Sequence, residues 1–489
     1  MTLTPAQLAA KVLIPNGELT RNVKITHSDG IPVEVPATPS TGYGTPSVVR
    51  TLPADYYTSF LSDAAKKQKA SPIRDLWPFE HVPGMISLLA GKPNPETFPF
   101  ESLAISARSP TKELLNLTLD GEELAEGLQY GITPGLPSLV RWIHGLQEIT
   151  HGRKANEDWG ITIGAGSQDL IYKAVIALVN PTDSVLLESP LYAGVMPIFE
   201  SLSCEKIEVH TDADGISSSS LRDILENWPA GKPKPRVLYT VPYGCNPTGM
   251  TATIERRKEV LRLAHEHDFI ILEDDPYYYL YYGETARPPS YFSLELEEPV
   301  VGRVLRFDSL SKILSAGIRI GFASGPKPLL NAIDRHTSAS NLQTASLTQA
   351  IVFKLLEQWG YEGFKAHTEN VSAFYRDRRD VFERAMQTHL KGLAEWTTPQ
   401  AGMFFWFKLL LTADASVAGD SEDVVRTKAT ERGVLALPGT IFLPNGQKTS
   451  YVRASFSLNT EAEIFEALRR LRQAVLDARG VEGGTIVSG

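Results

Sequence analysis

The sequence predicts an α/β fold, a mostly parallel sheet with helices on both faces, followed by a smaller α+β domain. The first observation is an alternation between residues 116 and 365. Apolar, β-branched runs recur there with helical segments between them: "GITI" (160–163), "SVLLES" (184–189), "RVLYTVP" (236–242), "FIILEDD" (269–275), "VLRFD" (304–308) and "RIGFA" (319–323). Such near-continuous apolar strands read as parallel strands buried on both faces. The second observation is a change of pattern after "HTSASNLQTASL" (336–347). Long amphipathic helices run to about residue 395, then "GMFFWFKL" (402–409) and "YVRASFSL" (451–458) read as strands. "EAEIFEALRRLRQAVLDA" (461–478) closes the chain as a helix, with apolar residues at three-and-four spacing. Residues 1–70 are rich in turn formers, with Pro15, Pro32, Pro36, Pro39, Pro46, Pro53 and "STGYGTPS", and read as an extended arm. The expected organisation is an arm (1–70), an N-terminal part of the small domain (71–115), a large domain (116–365) and a C-terminal part of the small domain (366–489).

Bulk properties exclude several classes. The chain has 489 residues, 42% apolar and 21% charged, enough to bury a large core. A formal charge of −9 argues against a nucleic-acid binder held by phosphate contacts. The proline-rich arm shows no helix-turn-helix pattern, which argues against a DNA-binding regulator. No run of apolar residues is long enough to span a membrane, so none is expected to. The N-terminus lacks a basic start followed by an apolar core, and the C-terminal "TIVSG" is no peroxisomal tripeptide. The two cysteines, Cys204 and Cys245, form no C-x-x-C pair and suit a reducing compartment, so a cytoplasmic location is expected.

Polar residues gather at the C-terminal ends of the predicted strands, where open α/β sheets bind ligands. In "GITIGAGSQDLIYKAV" (160–175) a strand, a glycine turn and a helix follow one another. The amides around Gly166, Ser167 and Gln168 would open toward an anion. The third glycine of the dinucleotide fingerprint is missing, and taken alone the segment is equally a plain turn. In "ESPLYAG" (188–194) Tyr192 offers an aromatic face to a planar ligand, or simply packs in the core. "PYGCNPTG" (242–249) places Asn246 in turn chemistry at a strand end. "ILEDDPYYYL" (271–280) ends a buried strand on Asp274, and a buried carboxylate needs a cationic or donor partner. No metal site is expected: His265 and His267 lie two apart on a predicted helix and do not share a face. "SLSKILSAGIRIGF" (309–322) sets Lys312 in an apolar neighbourhood, with Arg319 seven residues on. A buried lysine of lowered pKa can form a Schiff base with an aldehyde. A buried aspartate can keep a pyridine nitrogen protonated, and a helix terminus with an arginine can hold a phosphate. All three requirements meet in one cofactor, pyridoxal 5'-phosphate.

At this point the sequence resembles a known family. "SLSKILSAGIRIGF", "NPTG", "EDDPYY" and "LQYG" look like the fold-type-I aminotransferases. "SPIR" (71–74), "MISLLAGKPNPETFPF" (85–100) and "QAGMFFWFKL" (400–409) narrow this to the branch of fungal aromatic and kynurenine/α-aminoadipate aminotransferases. The resemblance implies a large domain with a mostly parallel seven-stranded sheet between helices, plus a smaller α+β domain. It implies that Lys312 carries the cofactor and moves the proton, that Asp274 pairs with the pyridine nitrogen, and that Tyr192 stacks on the ring. Tyr277 and Asn246 would hydrogen-bond the ring oxygen. Ser167, Gln168, Ser309, Ser311 and Arg319 would bind the phosphate. Tyr130, in "LQYG", would reach the phosphate of a partner subunit, making the active unit a homodimer. Arg453 would clamp the substrate α-carboxylate with a bidentate fork that lysine cannot reproduce.

The implied reaction moves the amino group of an aromatic L-amino acid (phenylalanine, tyrosine or tryptophan), with kynurenine and 2-aminoadipate as further candidates, to a 2-oxo acid such as 2-oxoglutarate. The alternative on the same fold is an enzyme of fungal secondary metabolism with cyclising, decarboxylating or condensing chemistry. Relatives commonly carry a Gly-Gly-apolar run where this chain has Ala90-Gly91-Lys92. The loop around Gly91 resembles one that covers the substrate side chain, so Lys92 either adds a cation there or points to solvent. Arg74 resembles an arginine that reaches an acidic substrate side chain or packs on an aromatic one, and Phe404 and Tyr130 would line the same pocket, leaving both aromatic and acidic side chains open.

Overall fold

The computed structural model describes residues 49–480, apart from 70, 71, 73–75, 77, 78, 81, 90 and 413–418. A hairpin comes first: β1 (Leu103–Arg108) pairs antiparallel with β2 (Leu114–Leu119). Their exposure alternates residue by residue, as for a sheet covered on one face.

An eight-stranded sheet follows. Its strands are β3 (Trp159–Gly164), β4 (Ser184–Ser189), β5 (Glu205–Asp212), β6 (Gly215–Ile216), β7 (Val237–Thr240), β8 (Ile270–Asp274), β9 (Val304–Ser309) and β10 (Gly321–Pro326). They lie in the order β3-β10-β9-β8-β7-β4-β5-β6. The pairs β5/β4, β4/β7, β7/β8 and β8/β9 are parallel, whereas β10 runs antiparallel to both β9 and β3. The expected seven strands become eight because the chain turns back at Asp214 and pairs two residues, β6, with the end of β5. Gly215 makes that turn at φ +103°, where a Cβ would strike Ala252. Every residue of β4, β7, β8, β9 and β10 is buried, in keeping with the apolar runs that mark these strands.

A four-stranded antiparallel sheet, β11 (Ala394–Trp396), β12 (Phe404–Leu409), β13 (Leu437–Pro438) and β14 (Tyr451–Ser455), is ordered β11-β12-β14-β13. Three helices matter for the site. Helix α1 (Ser167–Leu178) leaves the glycine turn after β3. Helix α2 (Ser346–His389) breaks at Gly360 (φ 60°, ψ −176°). Helix α3 (Glu461–Ala478) starts in a capping box, Thr460 bonding the Glu463 amide and Glu463 the Thr460 amide.

Part of the expected arm folds back. Residues Ala54–Ser59 and Asp63–Lys67 are helical, and Tyr57 and Phe60 are buried. Tyr57 donates to the Gly302 carbonyl (2.9 Å), and Ser62 caps the second helix while donating to the Ile176 carbonyl (2.7 Å). Burying these aromatic rings outweighs the local preference of the neighbouring prolines for extended chain.

Beneath β8 and β9 lies a charged cluster sealed from solvent. The Arg306 side chain, fully buried, meets Asp275 at 2.7 Å, Asp308 at 2.7 Å and Glu273 at 3.3 Å. Glu273 also accepts from the amides of Tyr291 (2.8 Å) and Phe292 (3.1 Å). Burial pushes Asp275 up to about 7 and raises Asp308, and the Arg306 guanidinium is the charge that opposes both, with Gln147 donating to Asp308 as well (3.3 Å). Arg306→Leu is expected to cost about 3–5 kcal/mol of stability by stranding them. The deficit should grow as pH rises, because carboxyls raised in the folded state bind more protons there than in the unfolded chain. Thermal and urea melts between mild acid and mild alkali check both statements.

Candidate active site

The parallel arrangement brings the C-terminal ends of β4, β7, β8 and β9 to one edge. A cavity of about 300 Å³ opens there. It is lined by Ser167, Gln168, Tyr192, Asn246, Asp274, Tyr277, Ser309, Ser311, Lys312, Arg319 and Phe404, residues drawn from stretches more than 200 positions apart.

Asp274 ends β8 and is 3% exposed. Its Oδ2 accepts from the Tyr239 hydroxyl at 2.6 Å, while its buried Oδ1 has no partner among the described residues. Burial raises its carboxyl to about 7; the Tyr239 bond and Lys312 oppose that rise, and Asp308 adds to it. Lys312 ends the short turn Leu310–Lys312 after β9. Burial lowers its ammonium pKa, and the neighbouring Arg319 lowers it further. A lysine so placed gives up its proton more readily than a free one, which suits a nucleophile.

The anion cradle is built from the β3–α1 turn and Arg319. Gly166 sits at φ +92° and abuts Arg319: a Cβ there would lie 2.4 Å from Nη2. A Cβ on Gly321 would lie 2.5 Å from the Ser167 amide nitrogen. Only glycine permits both approaches. Arg319 itself adopts a left-handed backbone (φ 50°) and donates to Ser311 Oγ (3.2 Å) and to the carbonyls of Ala316 (3.2 Å) and Ala165 (2.9 Å). Ser309 Oγ accepts from the Ser311 amide (3.2 Å), and Gln168 donates to the Gly194 carbonyl (2.6 Å). The helix N-terminus, the hydroxyls and the guanidinium together suit a phosphate.

On the other side, Asn246 Oδ1 accepts from Arg453 Nη1 at 2.8 Å. The guanidinium lies 4.2 Å from the centre of the Phe404 ring and 5.1 Å from that of Phe442. Burial lowers the Arg453 pKa, and its Nε has no partner among the described residues. Tyr277 is buried and edge-on to Phe404, at 6.2 Å between centroids. The Tyr192 ring folds over Gly194, where a Cβ would come within 2.3 Å of it, and burial raises its hydroxyl pKa.

These residues fit pyridoxal phosphate. The unpartnered Asp274 oxygen suits a protonated ring nitrogen, the glycine-walled cradle suits the phosphate, and the buried lysine suits the aldehyde.

Other predicted residues do not join the cavity. Tyr130 is 49% exposed and absent from its wall. Gly91 is exposed, and among the described residues no atom beyond its chain neighbours lies near its missing Cβ. Lys92 is tied to Glu80 at 2.8 Å. Arg74 lies outside the described residues. Sequence reasoning missed the wall residues Val241, Pro276 and Ala316, the Tyr239 support of Asp274, and Glu188. Glu188 is the penultimate residue of the buried strand β4 and accepts from the Val241 amide (2.9 Å), the Cys245 thiol (3.0 Å) and the Thr240 hydroxyl. A carboxylate in the apolar run "SVLLES" was the available signal.

Comparison with known proteins agrees with this geometry. Residues 108–471 match the family model "Aminotransferase class I and II". The chain is 44% identical over 416 residues to aminotransferase tdiD of Emericella nidulans, spanning 85% of this chain and 94% of that protein. It is 37% identical over 436 residues to the mitochondrial kynurenine/alpha-aminoadipate aminotransferase of Rattus norvegicus, spanning 86% and 99%. Aminotransferase Aro8 from Candida albicans matches with a TM-score of 0.79 at 26% identity, covering 88% of this chain and 100% of that one. A Pyrococcus horikoshii kynurenine aminotransferase, solved in complex with PMP, matches with a TM-score of 0.66 at 29% identity, covering 86% and 98%. The chain therefore belongs to the class I and II aminotransferases and is a pyridoxal-phosphate-dependent aminotransferase.

Proposed function

We propose that this enzyme takes the amino group of an aromatic L-amino acid and passes it to a 2-oxo acid such as 2-oxoglutarate. One observation carries the aromatic reading. The cavity walls beside Arg453 are Tyr192, Tyr277 and Phe404, and the cations lining the cavity are Lys312 and Arg319 alone among the described residues. Lys92, the other candidate for an acidic side chain, is engaged by Glu80. Relatives include aromatic amino acid aminotransferases of Dictyostelium discoideum and Schizosaccharomyces pombe, which supports the same substrate class and transamination over the cyclising or decarboxylating alternative.

When bound, pyridoxal phosphate supplies an aldehyde for the amine and a protonated ring that accepts electrons. The chain supplies the rest. Arg453 binds the substrate α-carboxylate, held by Asn246 and flanked by the Phe404 ring. Lys312 Nζ takes the α-proton and returns it on the cofactor side, its basicity tempered by burial. Asp274 Oδ1 would hold the proton on the ring nitrogen while Tyr239 fixes Oδ2. Tyr192 would cover the ring, and Tyr277 and Asn246 would bond its oxygen. Ser167, Gln168, Ser309, Ser311 and Arg319 would hold the phosphate.

The division into a large cofactor-binding domain and a smaller one is supported by the separation of the eight-stranded sheet from the four-stranded one. A homodimer, with Tyr130 reaching the phosphate of the partner, is supported by the exposure of Tyr130 beside exposed Ile132 and Leu342. A cytoplasmic location is supported by two buried, unpaired cysteines; no helix among the described residues is long and apolar enough to cross a membrane.

Steady-state assays should rank phenylalanine, tyrosine and tryptophan above 2-aminoadipate and aspartate in kcat/KM; the reverse order would contradict the aromatic reading. Arg453→Lys should raise the amino-acid KM about 10- to 100-fold while cofactor affinity stays near wild type, because only the carboxylate fork is lost. Equal loss of both would place the clamp elsewhere. Tyr239→Phe should lower kcat about 10- to 100-fold, the equivalent of about 1.5–3 kcal/mol for a bond to a charged group. Rapid-quench or stopped-flow measurement of the proton-transfer step checks this.

A further inference from the structure

The turn that carries Lys312 is held at both ends, and the second hold comes from a distant helix. At its start Ser309 Oγ accepts from the Ser311 amide (3.2 Å). At its end the Leu310 carbonyl takes the Ile313 and Leu314 amides, whereas the Ile313 carbonyl receives no backbone amide among the described residues, and Ile313 is buried away from water. His367 of α2 fills that need: its Nε2 lies 2.6 Å from the Ile313 carbonyl oxygen. A carbonyl only accepts, so Nε2 carries the proton. The imidazole is set by Trp359, ring centroids 4.6 Å apart.

The same helix grips two other parts of the molecule. Before His367, Tyr361 donates to the Trp142 carbonyl at 3.1 Å. Beyond it, Arg378 Nε donates to the Phe456 carbonyl at 2.9 Å, three residues past Arg453. Lys312 and Arg453 thus hang from one rod, at points eleven residues apart, or about 16 Å at the helical rise.

We propose that His367 is a positioning residue: through its bond to Ile313, α2 holds the Lys312 turn in register with the strand that carries Arg453. The inference rests on the reading that Lys312 bears the cofactor and moves the proton. Arg453 fixes the substrate by its carboxylate, and Lys312 must then stand over the α-carbon. A slip of the turn spoils that alignment without touching Arg453, which holds the substrate.

The test compares His367→Leu, His367→Asn and His367→Gln as purified holoenzymes. Glutamine places an N–H at the reach of imidazole Nε2; asparagine falls one methylene short. Leu and Asn should lower kcat about 10- to 100-fold, the scale of a displacement of about 1 Å, with amino-acid KM little changed. They should also move the pH midpoint of the visible absorption of the bound cofactor, and Gln should restore both readouts. If the Leu protein does not fold, the Gln–Asn pair carries the comparison. Wild-type kcat and midpoint in Leu or Asn, or a Gln variant as impaired as Asn, would overturn the proposal. A lowered melting temperature with unchanged kcat would overturn it too, marking a purely structural contact. Lys312→Ala, run alongside, separates the two readings: turnover without Lys312 sinks the role of the lysine, whereas a dead Lys312→Ala with normal His367 variants sinks this inference alone.

Discussion

The site depends on a carboxyl held out of water. Asp274 is buried at the end of β8 with one oxygen satisfied by Tyr239 and the other without a partner among the described residues. Such a group is costly to ionise, and its rise to about 7 expresses that cost. A cation brought to Oδ1 would relieve it, which suits the proposed protonated ring nitrogen at that point. The neighbours follow from the strand order. β7, on one side of β8, supplies Tyr239, and β9, on the other, supplies the turn bearing Lys312.

The second constraint is the joining of the sheet to the C-terminal strands. Asn246 accepts from Arg453, and the Leu191 amide donates to the Phe442 carbonyl at 2.9 Å. Gly244, at φ +46°, lets the loop after β7 approach Ala401 so closely that a Cβ would lie 2.5 Å from its backbone carbon. The proposed ring contacts and carboxylate clamp therefore share a wall. Any change that separates the two sheets would loosen substrate and cofactor together.

Much of this was legible in the sequence. The buried strands β3, β4 and β7 to β10 announce themselves as apolar runs, because both faces of a parallel sheet are covered. The residues at their ends are polar for the complementary reason that they meet a ligand. Hence Ser167, Asn246, Asp274, Lys312 and Arg319, though widely separated in sequence, line one cavity. What escaped is half-exposed or supplied at a distance. The β1–β2 hairpin and β5 alternate or mix exposed and covered residues, and no run of apolar residues marks them. The helices at 54–67 lie among prolines, and their burial is decided by packing against residues such as Gly302 and Ile176. Tyr239 looks like any aromatic in a strand until the structure points its hydroxyl at Asp274, and His367 is one polar residue on a long helix until it meets Ile313.

The most direct test of the central claim is the visible absorption spectrum of the purified protein, followed while an amino acid and then a 2-oxo acid are added. The account predicts a yellow protein whose colour is bleached by phenylalanine, tyrosine or tryptophan and restored by 2-oxoglutarate. A protein that stays colourless with added pyridoxal phosphate would contradict the roles given to Lys312 and Asp274.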